Sequence, residues 1–369
     1  MANRKDIYYW KCDRPSAFFA IEENRHDLAE ECADEKIGLA LTDLLADYFG
    51  DTDFTVTPAG GQGNHLTYLA RHVDTVQFIR LETGPDGDDY MEAEAAVMDQ
   101  VREIGVPTPI IYRVDSTRMN YPFAFQIMEW VRYSDLNCLQ KNGTLQLESV
   151  MRALGRYVAT WQQITPPGYG PFNVGELRSN GRLCGLHTMY RDYYWLNLER
   201  HLAFLIRHGF LSVHQVKEII SMIDANEQLL DLDGGCLVHK DLALWNVLGD
   251  SSRIRSIIDW DDSICGDPTD DLSLLGCFYG GTTLEALFSG YEEIRALPAD
   301  FERRFWLHLL RNMIFKAVIR VGAGYFTRNE DFFLISSRSD GASLYHTTLD
   351  RILAACAGLK GKMNIYELE

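Results

Sequence analysis

One short segment of the chain combines the side-chain types that phosphoryl transfer requires. It reads Leu237-Val-His-Lys-Asp-Leu-Ala-Leu-Trp-Asn-Val-Leu248, with His239 two residues before Asp241 and four residues between Asp241 and Asn246. Phosphoryl transfer needs a carboxylate that orients the attacking hydroxyl and accepts its proton, and oxygen ligands for the magnesium ion that neutralises the phosphates. The segment therefore predicts Asp241 as a catalytic carboxylate and Asn246 as a magnesium ligand.

A second segment adds another carboxylate. Ile254-Arg-Ser-Ile-Ile is a short apolar strand pattern, and it is followed directly by Asp259. Carboxylate oxygens are preferred magnesium ligands. We expect the loop that carries Asp241 and the strand that ends at Asp259 to converge on one site.

A third block, Gly266-Asp-Pro-Thr-Asp-Asp-Leu272, follows at once. Together with His239-Lys-Asp241 and Asn246, and with Ile258-Asp-Trp260, it resembles the ordered hallmark of the aminoglycoside phosphotransferase and choline kinase family. The resemblance implies a protein-kinase-like fold of two lobes and ATP as the phosphate donor. It also implies Asp241 as the catalytic carboxylate, with Asn246 and Asp259 holding Mg²⁺.

Lys240 departs from this pattern, because the family usually has glycine there. Two interpretations are open: the ammonium contacts a phosphate, or it pairs with a local carboxylate. His239 is expected to brace the loop through hydrogen bonds rather than to act as a base.

The three aspartates Asp267, Asp270 and Asp271 invite a metal-site interpretation, but a structural one is favoured. Asp-Pro begins turns, and acidic residues favour the first turn of a helix such as the one expected from Leu272. In the family, the first of these aspartates braces the catalytic loop.

The glycine-rich stretch Ala59–His65 lies between two predicted strands, where glycines allow backbone N–H groups to approach phosphates. Gly61, Gly63 and Asn64 are its candidate nucleotide-binding residues. A tight turn without any ligand uses the same residue types, so this alternative stays open.

Arg80, late in the third predicted strand, occupies the place of the kinase lysine that contacts the α- and β-phosphates. Glu94 on the following helix is the candidate that orients Arg80, although Glu92 is close by and helix carboxylates are commonly only solvated. Both Arg80 and Glu94 are included in the predicted nucleotide site.

The end of the fifth predicted strand is the expected hinge between the lobes. In the resemblance, this backbone hydrogen-bonds adenine, and the residues that line the adenine pocket are Met128, Glu129, Trp130 and Val131. An apolar strand end is more commonly core, so the side chains alone identify nothing.

The periodicity of the apolar residues predicts an α+β fold. Strand patterns are 54–56, 66–70, 76–81, 110–114 and 123–127, and helix patterns are 91–104, 144–164, 191–208, 213–230, 299–322 and 342–357. They predict an N-terminal antiparallel sheet lobe with one helix and a helical extension, residues 1–131. A larger, mainly helical catalytic and acceptor-binding lobe, residues 132–369, follows.

Composition limits the range of partners. A net charge of -18 and the lack of a Lys/Arg run argue against nucleic acid and anionic membranes. No apolar run is long enough to span a bilayer, the start lacks the features of a secretion signal, and the eight cysteines form no CxxC pair, so we expect a cytoplasmic protein with reduced thiols. The acidity would suit a cationic acceptor, or it serves only solubility. The oligomeric state is left open.

Three functions compete for these motifs. The first is an ATP-dependent kinase that acts on a hydroxyl of an aminoglycoside, amino alcohol or sugar-like molecule. The second is a nucleotide-binding pseudokinase or regulator that transfers nothing. The third, a metal-dependent hydrolase, lacks the additional His or Cys ligands of such sites. A protein kinase is disfavoured because a helix is expected within about a dozen residues of Asp259, which leaves little room for an activation segment.

Overall fold

The computed structural model describes residues 30–59, 65–83, 90–327 and 340–369, and of 30–35 only the backbone. The N-terminal part contains α1 (Glu30–Phe49), β1 (Phe54–Pro58), β2 (Leu66–His72), β3 (Thr75–Glu82), α2 (Tyr90–Glu103), β4 (Ile111–Asp115) and β5 (Ala124–Glu129).

The five strands form one antiparallel sheet in the order β1-β2-β3-β5-β4. Strands β2 and β3 are joined by a tight turn at Val73 and Asp74, and the register pairs Arg80 of β3 with Gln126 of β5. Alternate residues of a strand share a face. The pairing therefore places Arg80 and Gln126 side by side in the middle of the sheet.

Helix α2 connects the sheet with the rest of the molecule. Its apolar side packs Ala93, Val97, Met98 and Val101 into the main core. The helix ends before Gly105, whose φ of 88° is a left-handed conformation that suits glycine. This packing fixes the rotation of α2 and directs Glu94 towards the sheet.

The C-terminal part is mainly helical. It contains β6 (Ser134–Asp135), α3 (Leu136–Lys141), α4 (Leu147–Trp161), β7 (Tyr169–Phe172), α5 (Val174–Asn180), β8 (Gly185–His187), α6 (Tyr190–Trp195), α7 (Leu198–Arg207), α8 (Val213–Asp224), β9 (Cys236–Val238), β10 (Val247–Gly249), β11 (Ile254–Ile257), β12 (Ile264–Gly266), α9 (Thr269–Leu275), α10 (Gly281–Glu292), α11 (Phe301–Gly322) and α12 (Gly341–Leu359). Short 3₁₀ turns lie at Glu227–Leu230, Leu244–Asn246, Tyr325–Thr327 and Ile365–Glu367.

Two small antiparallel sheets support the loops of this part, in the orders β11-β10-β6 and β8-β7-β12-β9. Helices α4 and α10 cross closely at glycines. A Cβ on Gly155 would lie 2.0 Å from the carbonyl oxygen of Leu287, and a Cβ on Gly290 would lie 1.9 Å from that of Arg152. Backbone-to-backbone approach at this crossing therefore requires both glycines.

The apolar residues form two principal clusters. One joins α1 to the sheet through Leu41, Leu44 and Leu45 against Ile79 and other strand residues. The other fills the helical part and includes the inner face of α2. The predicted α+β class is confirmed, whereas the division at residue 131 stays a prediction.

Several predicted element bounds are corrected. The helix predicted over 191–208 is two helices, α6 and α7, separated at Asn197, whose φ of 59° is left-handed and incompatible with a continuous α-helix. The helix predicted over 213–230 ends at Asp224 and gives way to a 3₁₀ turn. The last strand of the first sheet continues to Glu129 instead of ending at 127.

Within the described ranges, no helix combines the length and the apolar composition needed to cross a membrane. Of the cysteines in these ranges, Cys236, Cys265, Cys277 and Cys356 are buried thiols, Cys184 is partly buried and Cys138 is exposed.

Candidate active site

The loop from His239 to Asn246 is held between two strands. It leaves β9, which pairs with β12, and enters β10 through the 3₁₀ turn at Leu244–Asn246. The side-chain amide of Asn246 donates from Nδ2 to the backbone oxygen of Asp241 at 2.8 Å and to its Oδ2 at 3.2 Å. These bonds fix the carboxylate and direct the other amide atom, the oxygen, away from it.

His239 braces the same loop. Its Nε2 lies 3.0 Å from the carbonyl oxygen of Ile258, and the backbone N–H of Asp241 donates to its Nδ1 at 3.3 Å. Because a carbonyl only accepts, Nε2 carries the proton and Nδ1 is the acceptor. The ring packs against Trp260 in a tilted arrangement, with centroids 4.4 Å apart. Both ring nitrogens are engaged by backbone groups, in agreement with the predicted bracing role.

Asp271 at the start of α9 anchors the loop backbone. Its carboxylate accepts the N–H of His239 at 2.8 Å, the N–H of Lys240 at 3.0 Å and the indole N–H of Trp161 at 3.1 Å. Complete burial raises the pKa of Asp271 above its usual value. The third aspartate of its block therefore braces the catalytic loop, not the first, as the family resemblance implied.

Asp267, the first of the three, binds elsewhere. It is fully buried, and it accepts from Arg304 Nη1 at 2.6 Å and lies 3.0 Å from His308 Nε2. Burial alone would raise the pKa of Asp267, but the charges of His308 and Arg304 outweigh burial and hold the pKa well below its usual value. Asp267 fastens the turn before α9 to α11.

Lys240 resolves one open alternative. Its Nζ donates to both carboxylate oxygens of Asp270, at 3.0 and 2.8 Å, and to Oδ1 of Asn312 at 2.8 Å. Its φ is 69°, a left-handed conformation that costs a non-glycine residue about 1–2 kcal/mol. The same conformation explains why glycine is common at this position. The ammonium pairs with a local carboxylate, the second of the two interpretations.

Asp259 follows the hairpin of β10 and β11 and lies beside the loop. The N–H of Ile258 donates to the backbone oxygen of Asn246 at 2.9 Å. This bond brings Asp259, the next residue, close to Asn246. Asp259 also has a left-handed backbone, with φ of 67°. Enclosure by the surrounding protein and then the nearby Asp261 carboxylate raise the pKa of Asp259 well above its usual value, although Arg80 opposes the shift and 39% of the side chain is exposed to solvent.

Arg80 is the cation at the centre of these carboxylates. Its Nη1 donates to both oxygens of Glu94, at 2.8 and 2.7 Å. Its Nη2 lies 2.8 Å from Asp261 Oδ2 and 3.3 Å from Asp259 Oδ1. A planar guanidinium suits this geometry because its donors form a fixed fork. The structure thus brings the predicted pair Arg80 and Glu94 next to the predicted metal ligand Asp259.

Glu94 has support of its own. Gln126 Nε2 donates to Glu94 Oε2 at 2.9 Å, and the backbone N–H of Trp260 donates to Oε1 at 3.1 Å. Glu92, the other candidate, faces elsewhere and forms a two-point ion pair with Arg178 of α5, at 2.7 Å for both bonds. The choice of Glu94 as the partner of Arg80 therefore agrees with the contacts.

Gly61, Gly63 and Asn64 lie outside the described residues. His65, directly after them, lies 3.1 Å from Glu82 Oε2 and 3.4 Å from Arg80 Nη2. It was not predicted as a site residue.

The four predicted hinge residues end β5 and continue past it. Met128 is buried, and the N–H of Glu129 donates to the backbone oxygen of Ile110 at 2.8 Å. The guanidinium carbon of Arg132 lies over the Trp130 ring, 4.6 Å from its centroid. Val131 accepts the N–H of Tyr133 at 3.0 Å. Their contacts with adenine remain a prediction.

The donor set fits a magnesium ion. Asn246 and Asp259 offer hard oxygen atoms, and the Asp259 side chain is 39% exposed. Asp241, Asp261 and Glu94 add negative charge that Arg80 balances only in part. No group of three or more His, Cys, Asp or Glu in the described ranges is arranged to hold a metal ion by itself. Magnesium held by one or two protein ligands takes its remaining ligands from phosphates and water.

A cavity that is open to solvent lies beside the catalytic loop. Its lining combines aromatic and aliphatic side chains with four charged residues. The lining residues are Tyr90, Pro171, Tyr193, Lys240, Asp261, Asp262, Ser263, Ile264, Leu274, Asn312, Phe315, Lys316 and Ile319.

Sequence reasoning missed or misplaced several of these residues. Asp261 was not predicted as a site residue, yet it is 8% exposed and bound to Arg80. Gln126 and Asn312 carried no signal, because their partners are distant in sequence. The left-handed backbone of Lys240 could have been inferred from the glycine that the family has there.

Residues 55–307 match the family model described as "Phosphotransferase enzyme family". A comparison with curated protein sequences finds no match. Among solved structures, a protein from Haemophilus somnus described as a fructosamine-3-kinase is 13% identical, with a TM-score of 0.60 over 87% of this chain and 99% of that one.

Two further structures hold ligands. Aminoglycoside phosphotransferase APH(4)-Ia, in a ternary complex with AMP-PNP and hygromycin B, is 15% identical, with a TM-score of 0.52 over 88% of this chain and 97% of its own. Spectinomycin phosphotransferase APH(9)-Ia, in complex with ADP and spectinomycin, is 16% identical, with a TM-score of 0.51 over 88% and 98%. At these identities, the likeness shows a shared fold.

Proposed function

Since the chain belongs to the phosphotransferase enzyme family, we propose that it transfers the γ-phosphate of ATP to a hydroxyl of a small molecule. The observation that carries the proposal is the pair of contacts that Asn246 makes: its side-chain amide donates to Asp241, and its backbone oxygen accepts the N–H of Ile258, the residue before Asp259. This one residue thereby holds the proposed catalytic carboxylate close to both proposed magnesium ligands.

Asp241 is the base and orienter in this proposal. Its Oδ2 is held by Asn246 Nδ2 at 3.2 Å, and its remaining acceptor capacity serves the acceptor hydroxyl. As the oxygen of that hydroxyl bonds to the γ-phosphorus, the bond to the bridging oxygen breaks, ADP leaves, and the hydroxyl proton passes to Asp241. The loop bonds from Asp271 and His239 keep the carboxylate in place.

Asn246 and Asp259 hold the metal. When bound, Mg²⁺ neutralises the phosphate oxygens and the charge that develops on the leaving group. Arg80 supplies the positive charge from the sheet, and Glu94 fixes the guanidinium so that one side of it faces the phosphates.

The acceptor is a small molecule in this proposal. Nine residues lie between Asp259 and the start of α9 at Thr269, too few for a segment that seats a peptide. The open cavity beside the loop combines aromatic, aliphatic and charged side chains, as small-molecule sites do. The compounds bound by the structural relatives, hygromycin B and spectinomycin, make aminoglycosides a first class to test, followed by amino alcohols and sugars.

The test is phosphate transfer across a panel of such acceptors. Purified protein is incubated with MgATP and each acceptor, ADP release is measured, and the phosphorylated product is identified by mass spectrometry. The proposal expects acceptor-dependent ADP release for at least one class. Tight binding of MgATP with no transfer to any acceptor would instead establish the alternative, a pseudokinase or nucleotide-binding regulator.

A further inference from the structure

Lys240 combines two costs that a glycine would avoid. Its backbone is left-handed, with φ of 69°, and its ammonium is withdrawn from water, with 10% of the side chain exposed. Residues kept in an unfavourable conformation cluster at functional sites, where their surroundings enforce it. The side chain therefore needs a function that justifies its presence directly before Asp241.

The contacts of Lys240 extend in two directions. Its backbone N–H is bound by Asp271, so the loop is anchored to α9. Its side chain continues past the loop to Asp270 of α9 and Asn312 of α11, and Asn312 Nδ2 in turn donates to Asp270 Oδ1 at 2.9 Å. Lys240, Asp270 and Asn312 form a closed group of three side chains, which we call the Lys240 clamp.

The clamp forms part of the wall of the cavity beside the catalytic loop. Lys240 and Asn312 both line this cavity, whereas Asp270 lies behind them and is 1% exposed. Phe315, Lys316 and Ile319, which follow Asn312 on the same side of α11 at helical spacing, line it too. The clamp thus joins the loop that carries the catalytic carboxylate to the helix that forms one side of the cavity.

We propose that Lys240 is a positioning residue for the phosphate acceptor. The clamp fixes the distance between Asp241 and the α11 wall, and this distance determines which acceptors place a hydroxyl against Asp241. The inference rests on the proposed function and adds to it that the acceptor lies against α11.

The experiment compares Lys240→Gly with the double variant Lys240→Gly/Asp270→Asn. The single variant relieves the backbone conformation but leaves Asp270 buried without its cation, and we expect its Tm to fall by about 5–10 °C. The double variant removes both charges and keeps a polar partner for Asn312, and its Tm should return to near the wild-type value. The acceptor probe is whichever of hygromycin B, spectinomycin and a fructosamine gives the highest wild-type kcat/KM.

The decisive readout is the KM for the acceptor in the double variant. A positioning role predicts a KM for the acceptor raised at least about 10-fold, with the KM for ATP within about 2-fold of wild type. The control is Lys360→Gly/Glu218→Gln, which removes an ion pair between α8 and the end of α12 and should leave both KM values unchanged.

Two results would overturn the inference. A double variant that regains the wild-type KM for the acceptor along with its Tm would show that Lys240 acts only on stability. Parallel rises in both KM values would place its effect on the nucleotide side. These results differ from failure of the proposed function itself, in which the wild-type protein phosphorylates no acceptor at all.

Discussion

Arg80 is the residue on which the two halves of the site meet. Its guanidinium binds Glu94 of α2 and reaches Asp261 and Asp259 of the segment after β11. It is 6% exposed, so these charges attract one another more strongly than they would in water. The Arg80 side chain therefore sets the distance between the sheet and Asp259, the proposed metal ligand.

Replacement of Arg80 by alanine should damage the nucleotide side of the reaction. We expect kcat/KM for ATP to fall about 100-fold or more, because a fixed donor to the phosphates is lost and Glu94 and Asp261 remain buried without their cation. Steady-state kinetics with ATP as the varied substrate measure the effect.

Arg113→Ala is the matched control. Arg113 lies on β4, the edge strand of the same sheet, and forms an exposed ion pair with Asp47. Such a pair contributes little, so this variant should keep wild-type kinetics. If Arg80→Ala also kept wild-type kinetics, the role proposed for Arg80 would be wrong.

Among single residues, the sequence predicted those that belong to motifs. It did not predict the residues that contact them from distant parts of the chain. Arg80 and Glu94 follow from their positions in a strand and in the next helix. Asp261 lies 181 residues after Arg80, and only the packing of the hairpin against the sheet brings the two together. The contact between Lys240 and Asn312 of α11 could not be predicted either, because no sequence motif links Asn312 to the loop.

At the scale of elements, α9 acts as the anchor of the catalytic loop. Asp270 and Asp271 in its first turn and Asp267 just before it are almost completely buried, and each binds a different group. The groups around each carboxylate determine whether its pKa is raised or lowered. Burial dominates for Asp271 and raises its pKa, whereas for Asp267 and Asp270 the nearby cations outweigh burial and lower the pKa.

The lowered pKa of Asp267 makes part of the stability dependent on pH. A carboxylate whose pKa is lower in the folded than in the unfolded state stabilises the fold above its unfolded pKa, near 3.8, and loses this contribution as the pH falls through the folded value. We expect Asp267→Asn to lower the free energy of unfolding at neutral pH by about 3 kcal/mol, since Arg304 and His308 lose their anion.

Urea unfolding of wild type and Asp267→Asn between pH 7 and pH 3 tests this expectation. The gap between the two proteins should begin to narrow as the pH falls below about 4, because Asp267 of the unfolded wild-type chain takes up a proton there while the folded carboxylate stays ionised down to its own lower pKa. Asp74→Asn, at an exposed turn between β2 and β3, is the control and should show no such gap. A gap that stays constant with pH would contradict the ion pair.

The predicted bounds of helices and strands agree with the structure where tertiary packing favours the same element as the local sequence pattern. The meander of β1, β2 and β3 and the helices α2 and α11 lie where apolar periodicity placed them. The break between α6 and α7 was not predicted, because apolar residues continue through it. The left-handed Asn197 separates the end of α6 from the start of α7.

For the whole molecule, three motif blocks in one order predicted the family and the fold class, because they describe a loop, a hairpin and a helix start that act as a unit. The proposed acceptor cavity could not be predicted from these motifs. It is built from α2, β12, α9 and α11 together, and no local pattern in any one of them describes its shape.

The central claim is that Asp241 activates an acceptor hydroxyl for attack on ATP, and the variant Asp241→Asn tests it most directly. Asparagine has the same shape and keeps the backbone bond from Asn246 at 2.8 Å, so the fold and the metal ligands are retained. We expect kcat for phosphate transfer to fall by about 1,000-fold or more, with the Kd for MgATP changed less than about 3-fold.

The measurement is the rate of acceptor phosphorylation together with MgATP binding by calorimetry, in wild type, Asp241→Asn and the control Asp233→Asn. Asp233 is an exposed carboxylate just before β9, and its variant should match wild type in both quantities. Loss of transfer with MgATP binding retained in Asp241→Asn is the predicted result. Transfer at a rate close to that of wild type in Asp241→Asn would contradict the account.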